Sequence, residues 1–340
     1  MTRPLSPVTE AQRRALDIFR NGRRFVLVGH VRPDGDCIGS QVALARVLAA
    51  LGKDVVVVNP DAPPPVYAFL YEDAPFARRQ GITLPPHDVC VLLDINEIAR
   101  CGDLDGPIRE APAAKVVVDH HPFLGEPWWD AAFTDRGAAA TGLLVHRISR
   151  HLGVRLDLPT AEAIFTALVT DTGWFRYSNT DAEAMALASE LVESGVVPND
   201  LYMRIYQQQS PEHPRAVASV VQRLEYFCGN RLVVVDQPLL PPGEHVLEDN
   251  DPVLDLLRSV GDVEAVLYVR EMEGGRCKLS ARSKATFDVG VLARRFGGGG
   301  HAKAAGATIE GPLAEVKARL TRAATELLIE RRPARRAGSA

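Results

Sequence analysis

A chain of 340 residues exceeds what one hydrophobic core usually supports, so two domains are expected. With 46% hydrophobic residues, 24% charged residues and a formal net charge of -4, the composition is that of a globular protein without general affinity for polyanions, and any nucleic-acid contact has to be local. Five cysteines without a CxxC pair argue against a disulfide framework or structural zinc, and neither an apolar leader core in Met1 to Pro7 nor a membrane-length apolar run is present, so a cytoplasmic protein is expected.

Residues 8 to 20 read as a short amphipathic helix and 24 to 29 as a buried strand. That strand runs into Gly29-His30-Val31-Arg32-Pro33-Asp34-Gly35-Asp36-Cys37-Ile38-Gly39-Ser40, which sets an imidazole and two carboxylates at a strand-to-helix turn. Gly35 and Gly39 are expected to let the backbone bend and approach a ligand closely. Helical spacing from Ser40 to Leu51 stops at Gly52, and Asp54 to Val58 is the next β-branched run. Val89 to Leu93 then ends in Asp94, and Lys115 to Val118 ends in Asp119-His120-His121. Apolar strands alternating with helices predict an α/β fold with a parallel sheet covered on both faces, whose ligands bind beyond the carboxyl ends of the strands.

Thr141 to Leu152 and Thr160 to Thr170 are helical by period, the second leading into Asp171-Thr172-Gly173-Trp174-Phe175-Arg176-Tyr177. Asp181 to Ser194 is helical, and Asp200 to Phe227 continues that spacing with breaks at Ser210-Pro211 and Pro214, which reads as a connector. From Arg231 a second α/β pattern begins, with strands at Leu232 to Val235, Ala265 to Arg270, Lys278 to Arg282 and Ala305 to Ile309. Helices are expected at Pro252 to Val260, Val289 to Phe296 and Leu313 to Ile329. The boundaries that follow are a first domain at 8–195, a helical linker at 196–229, a smaller mixed α/β domain at 230–330 and a disordered basic tail at 331–340.

The polar residues at the ends of the apolar segments are His30, Asp34, Asp36, Asp94, Asp119, His120, His121 and Asp171. Hard oxygens mixed with imidazole and no thiolate suit Mn²⁺ or Mg²⁺ better than structural zinc. The cluster exceeds the needs of one ion, and two divalent ions ~3.5–4 Å apart would clamp the attacking and leaving oxygens of a phosphoryl transfer. Taken singly, an Asp-x-Asp after a strand is often an N-cap beside a solvated acid, and Asp171 with Thr172 can be a turn. Four such motifs at the ends of predicted apolar segments favour a shared site.

These motifs resemble the four motifs of the DHH phosphoesterase superfamily. Ser280-Ala281-Arg282-Ser283, Gly297 to His301 and Ala304-Ala305-Gly306 resemble its associated DHHA1 substrate-binding domain, and the phrase from Asp171 to Tyr177 is most similar to the nanoRNase/pAp phosphatase branch. The resemblance implies a parallel-sheet DHH domain, a helical linker and a DHHA1 domain facing it across a cleft. It further implies that His30 and Asp34 bind one Mn²⁺, that Asp36, His120 and Asp171 bind the other, and that Asp94 bridges them. Asp119 would orient an imidazole, His121 would sit beside the scissile phosphate, and a hydroxide between the metals would be the nucleophile. The stretch Ala140-Thr141-Gly142-Leu143 departs from the family's pattern after its third motif.

Between Arg276 and Glu310 seven Lys or Arg residues face two acids, a basic balance opposite to that of the whole chain. Arg282, Ser283, Gly298, Gly299, Gly300 and His301 are the expected substrate contacts, the glycine N–H groups cradling a phosphate. Basic and aromatic residues do not interleave here, which disfavours a platform for long strands. The expected activity is hydrolysis of short oligoribonucleotides and of 3′-phosphoadenosine 5′-phosphate (pAp) to AMP, with no long duplex and no membrane as partner and a homodimer left open. The alternatives are a phosphodiesterase for cyclic or linear dinucleotides and, outside catalysis, a metal-stabilised nucleotide-binding regulator.

Overall fold

Beginning at Arg24, the first apolar run forms the centre of a parallel sheet. In the computed structural model, which describes residues 7–123, 125–241, 247, 251–284 and 286–330, the chain divides into two compact units, 1–208 and 209–340. The tail expected to be disordered, 331–340, lies outside the described residues.

The first unit carries α1 (Glu10–Asn21), β1 (Arg24–Val28), α2 (Gly35–Ala50), β2 (Asp54–Asn59), β3 (Ala77–Gln80), β4 (Val89–Leu93), α3 (Asp105–Glu110), β5 (Ala114–Asp119), β6 (Ala131–Thr134), α4 (Thr141–His151), α5 (Leu158–Asp171), α6 (Ala182–Glu193) and α7 (Pro198–Tyr206). Short 3-10 helices lie at Pro65–Tyr71 and Ile98–Leu104. Its six strands pair in the order β3-β2-β1-β4-β5-β6, all parallel. Alternation along β1 sends Phe25 and Leu27 into a core shared with α1, α2, α4 and α5, and Val26 and Val28 into a second core with the Ile98–Leu104 turn, α3 and Trp128. Burial on both faces explains the unbroken Val and Leu runs.

Gly35 and Gly39 serve a different purpose from the one expected. Both are helical residues of α2, and a Cβ at Gly39 would stand 2.5 Å from Ala163 O, while one at Gly35 would stand 2.4 Å from Thr170 Cγ2. They let α2 lie tightly on α5 rather than admit a ligand. Two edge strands, β3 and β6, and the short strand at Glu225–Phe227 depart from the periodicity reading; the last ends the connector as sheet, not helix.

The second unit comprises α8 (His213–Val221), β7 (Glu225–Phe227), β8 (Leu232–Gln237), α9 (Asp251–Arg258), β9 (Ala265–Met272), β10 (Arg276–Ser283), α10 (Val289–Arg295), β11 (Gly299–Gly300), β12 (Ala304–Glu310) and α11 (Leu313–Glu330). Its sheet, β11-β12-β10-β9-β8-β7, is mixed, with β8 and β9 parallel and the other pairs antiparallel. Helices α10 and α11 cover one face and α8 and α9 the other. Among the described residues no helix is long and apolar enough to cross a membrane.

Candidate metal centre

The strand order reverses direction between β1 and β4, the point where an open parallel sheet leaves a crevice at its carboxyl edge. His30 follows β1, Asp94 follows β4, and β5 ends in Asp119 with His120 and His121 next. Asp34 caps α2, its Oδ1 accepting from Cys37 N at 3.0 Å, so the capping role and a place at the site coexist. Asp36 is buried in the first turn of α2, and Asp171 closes α5. Asp94 is held in a left-handed backbone conformation, φ 61°, that non-glycine residues seldom adopt.

Both imidazoles at the centre have a defined tautomer. His30 Nδ1 donates to Val31 O at 2.9 Å and His120 Nδ1 to Ala138 O at 3.0 Å, which leaves each Nε2 with a lone pair. His30 Nε2 faces Asp94 Oδ2 at 3.4 Å and Asp34 Oδ2 at 3.7 Å. His120 Nε2 faces Asp171 Oδ2 at 3.6 Å and both Asp36 Oδ2 and Asp94 Oδ1 at 3.7 Å. Neither Nε2 has a hydrogen-bond partner, although both are buried. A lone pair surrounded by carboxylate oxygens at these distances is repulsive until a proton or a metal cation stands between them. The donor set, imidazole nitrogen with hard oxygen, is one that divalent cations take.

Among the described residues the donor atoms gather into three groups: His30, Asp34 and Asp94; Asp36, His120 and Asp171; and Asp94, His120 and His121. Without a cation the cluster collects protons. Burial pushes the Asp36 carboxyl well above the usual carboxylate range, and Asp94 and Asp171 push it further. Burial likewise lifts Asp171 to about 6, against the pull of His120. For His30 burial opposes the charged form, but Asp34 and Asp94 outweigh it and raise the imidazole. Cations would replace these protons, the usual coupling of metal affinity to pH.

Asp119 is fully buried and grips His121 twice, its Oδ1 accepting from His121 Nδ1 at 2.8 Å and from His121 N at 3.1 Å. Burial disfavours protonation of His121, but the bond to Asp119 and the charges of Asp94 and Asp119 together outweigh it and raise the imidazole. The far side of the same residue is tied by Asn96, whose Nδ2 donates to His121 O at 3.0 Å while Asn96 O accepts from Trp128 Nε1 at 2.9 Å.

In the second unit, Gly299 and Gly300 form β11 against Gly306 and Ala305, with Gly298 just before them. A Cβ on Gly298 would lie 2.1 Å from Gly306 O and one on Gly300, at φ 129°, 2.6 Å from Ala304 O, so this tight hairpin requires glycine. His301 is exposed at its tip, its N–H donating to Ala304 O at 2.8 Å. Arg282 lies at intermediate exposure on the neighbouring β10. Ser283, expected at the substrate, is instead buried, and its hydroxyl is directed to Phe287 O at 2.7 Å and Ala302 O at 3.0 Å, where it closes the loop.

Comparison with known proteins accounts for both units. Residues 24–169 match the model of the DHH family, N-terminal domain, and residues 249–330 that of the DHHA1 domain. Over 285 residues the chain is 33% identical to the bifunctional oligoribonuclease and PAP phosphatase NrnA of Thermus thermophilus, covering 83% of each. The chain belongs to the DHH family. The Bacillus subtilis protein of the same name is 24% identical over 290 residues, which cover 84% of this chain and 88% of the relative. An exopolyphosphatase-related protein from Bacteroides fragilis shares the fold, with a TM-score of 0.84 at 24% identity over 94% of this chain and 98% of that one.

Three residues of the DHH unit's site escape motif reading: Asn96, Thr141 and Asn179. Thr141 Oγ1 donates to Asp94 Oδ1 at 3.0 Å, and Asn179 Nδ2 donates to Asp171 Oδ2 at 3.2 Å. The only sequence signal was position, since Asn96 stands two residues after Asp94 and Thr141 at a helix start. Neither distinguishes an orienting side chain from an ordinary cap.

Proposed function

We propose that this DHH-family phosphoesterase uses two divalent cations, Mn²⁺ in preference to Mg²⁺, to hydrolyse short oligoribonucleotides from an end and pAp to AMP. The observation that carries the reading is the pair of buried Nε2 lone pairs facing carboxylate oxygens. His30, Asp34 and Asp94 would hold one ion and Asp36, His120 and Asp171 the other. Asp94 would serve both, because its Oδ2 faces His30 and its Oδ1 faces His120. Mn²⁺ is preferred because imidazole donors suit it better than Mg²⁺, which keeps an oxygen shell. Bound divalent cations supply the Lewis acidity that makes water a nucleophile near neutral pH and that draws charge from the phosphoryl oxygens.

The chain's own residues do the rest. Asp119 fixes the Nδ1 side of His121, and the opposite side of that imidazole holds or moves a proton at the scissile phosphate. Arg282 and the hairpin Gly298 to His301 bind a further phosphate in the DHHA1 unit through guanidinium charge and backbone N–H groups. The names of the Thermus and Bacillus relatives support short RNA and pAp as the substrates.

Purified protein with Mn²⁺ is expected to release mononucleotide from a five-residue RNA and phosphate from pAp. Release from neither, with the protein folded and Mn²⁺ bound, overturns the proposal. Turnover of cyclic dinucleotides alone would redirect it to a different substrate on the same site.

A further inference from the structure

We infer that Ala138–Gly142, the segment leading into α4, is the template on which the metal centre is assembled, and that Thr141 is its positioning residue. The inference rests on the proposed metal site. The six candidate donors come from the β1–α2 turn, the first turn of α2, the ends of β4 and β5 and the end of α5, so no single element can align them. This segment touches three of the six directly and reaches a fourth, Asp171, through Asn179. Ala138 O accepts from His120 Nδ1 at 3.0 Å. Ala139 O accepts from Asn179 Nδ2 at 2.9 Å, and that same amide donates to Asp171 O at 3.1 Å and Asp171 Oδ2 at 3.2 Å. Thr141 N donates to Asp36 Oδ2 at 2.7 Å and Gly142 N to Asp36 Oδ1 at 3.0 Å, so the N-terminus of α4 spends its unpaired N–H groups on a carboxylate. Thr141 Oγ1 completes the set at Asp94 Oδ1.

All members of the Asp36, His120 and Asp171 group are therefore referenced to one short stretch of backbone, whereas His30 and Asp34 sit on their own loop. The link to Asp94 differs from the others because it runs through a side chain of the segment itself. Asp94 has one oxygen toward each group, and rotation of its carboxylate would spoil both at once. The Thr141 hydroxyl pins that rotation from a fully buried position. Orienting partners of this kind are worth about 10–100-fold in metal affinity or activity.

Thr141→Val keeps the shape and both backbone N–H contacts while deleting the hydroxyl. It is expected to weaken Mn²⁺ binding about 10–100-fold, measured by titration calorimetry and by the electron paramagnetic resonance of bound Mn²⁺, and to lower kcat with little change in KM. The melting temperature of the metal-free protein reports folding separately. Thr141→Ser keeps the hydroxyl and is expected to bind Mn²⁺ as the parent does. If the parent itself takes up no Mn²⁺, the underlying metal reading fails. With the parent binding, unchanged affinity in Thr141→Val overturns the inference, and so does a Thr141→Ser protein weakened more than about tenfold, a result that stands even where the valine protein does not fold.

Discussion

The DHH unit buries most of its chemistry, with Asp36, Asp94 and Asp119 each no more than 2% exposed and Asp34 the exposed exception, whereas the DHHA1 unit leaves Gly299, Gly300 and His301 exposed on a hairpin. The contrast follows from the sign and density of charge. Carboxylates crowded together out of water repel one another, so the first site needs exact orientation by neighbours and completion by cations. The exposed phosphate grip proposed for the second unit, built of backbone N–H groups and basic side chains, would need neither, because water screens each contribution. Damage to a single atom should consequently be severe in the first unit and mild in the second.

The sharpest test of that contrast is Asp94→Asn, which keeps the side chain's size and removes the charge facing both His30 and His120. Loss of several kcal/mol of transition-state stabilisation is expected, about 10³-fold in kcat/KM on pAp, together with weaker uptake of Mn²⁺ in calorimetry. Activity within tenfold of the parent would mean that Asp94 is not shared between two ions. In the second unit, Arg282→Ala removes one partly exposed cation and should raise KM about tenfold with kcat nearly unchanged, read from steady-state kinetics on pAp. An equal fall in kcat would place Arg282 in the reacting machinery and erase the difference between the units.

The same contrast decides what the sequence could reveal. Candidate donors such as Asp94 and His120 are legible because each stands at the end of an apolar run, and a buried strand end leaves little else for an acid or imidazole to do. The edge strands are not legible: β3 reads Ala77-Arg78-Arg79-Gln80 and is exposed throughout, so no burial pattern marks it, and β6 has only four residues. Gly39 looks like a ligand-binding glycine because composition cannot tell close approach to a ligand from close approach to α5. Thr141, Asn179 and Asn96 act through tertiary hydrogen bonds spanning 47, 8 and 25 residues, and one-dimensional spacing carries no trace of such partners. Ser283 errs the other way, a polar residue in a motif whose hydroxyl is used up inside the fold.

Asp236 provides the smallest and most selective test, because it is a buried carboxylate with a structural rather than chemical task. It closes β8 against two cations, Lys317 Nζ at 2.5 Å and Arg223 Nη2 at 2.6 Å, and lies in the second unit. Burial alone would push its carboxyl up, but the hydrogen bonds and charges of Lys317 and Arg223 prevail and hold it below the usual carboxylate range. A carboxyl depressed in the folded state contributes stability that is fully present above its unfolded value of about 3.9 and is lost as pH falls through the folded value. Asp236→Asn should therefore flatten the acid limb of the stability profile below about pH 4. At neutral pH it should cost only about 1–2 kcal/mol, since Arg223 is 47% exposed and water screens the pair. Urea unfolding followed across pH measures both effects. Mn²⁺ affinity should stay at the parental value, because none of the candidate donors belongs to this unit. A loss of Mn²⁺ affinity in Asp236→Asn would show that the DHH unit depends on its neighbour to hold the metal centre, and the two units would then have to be treated as one.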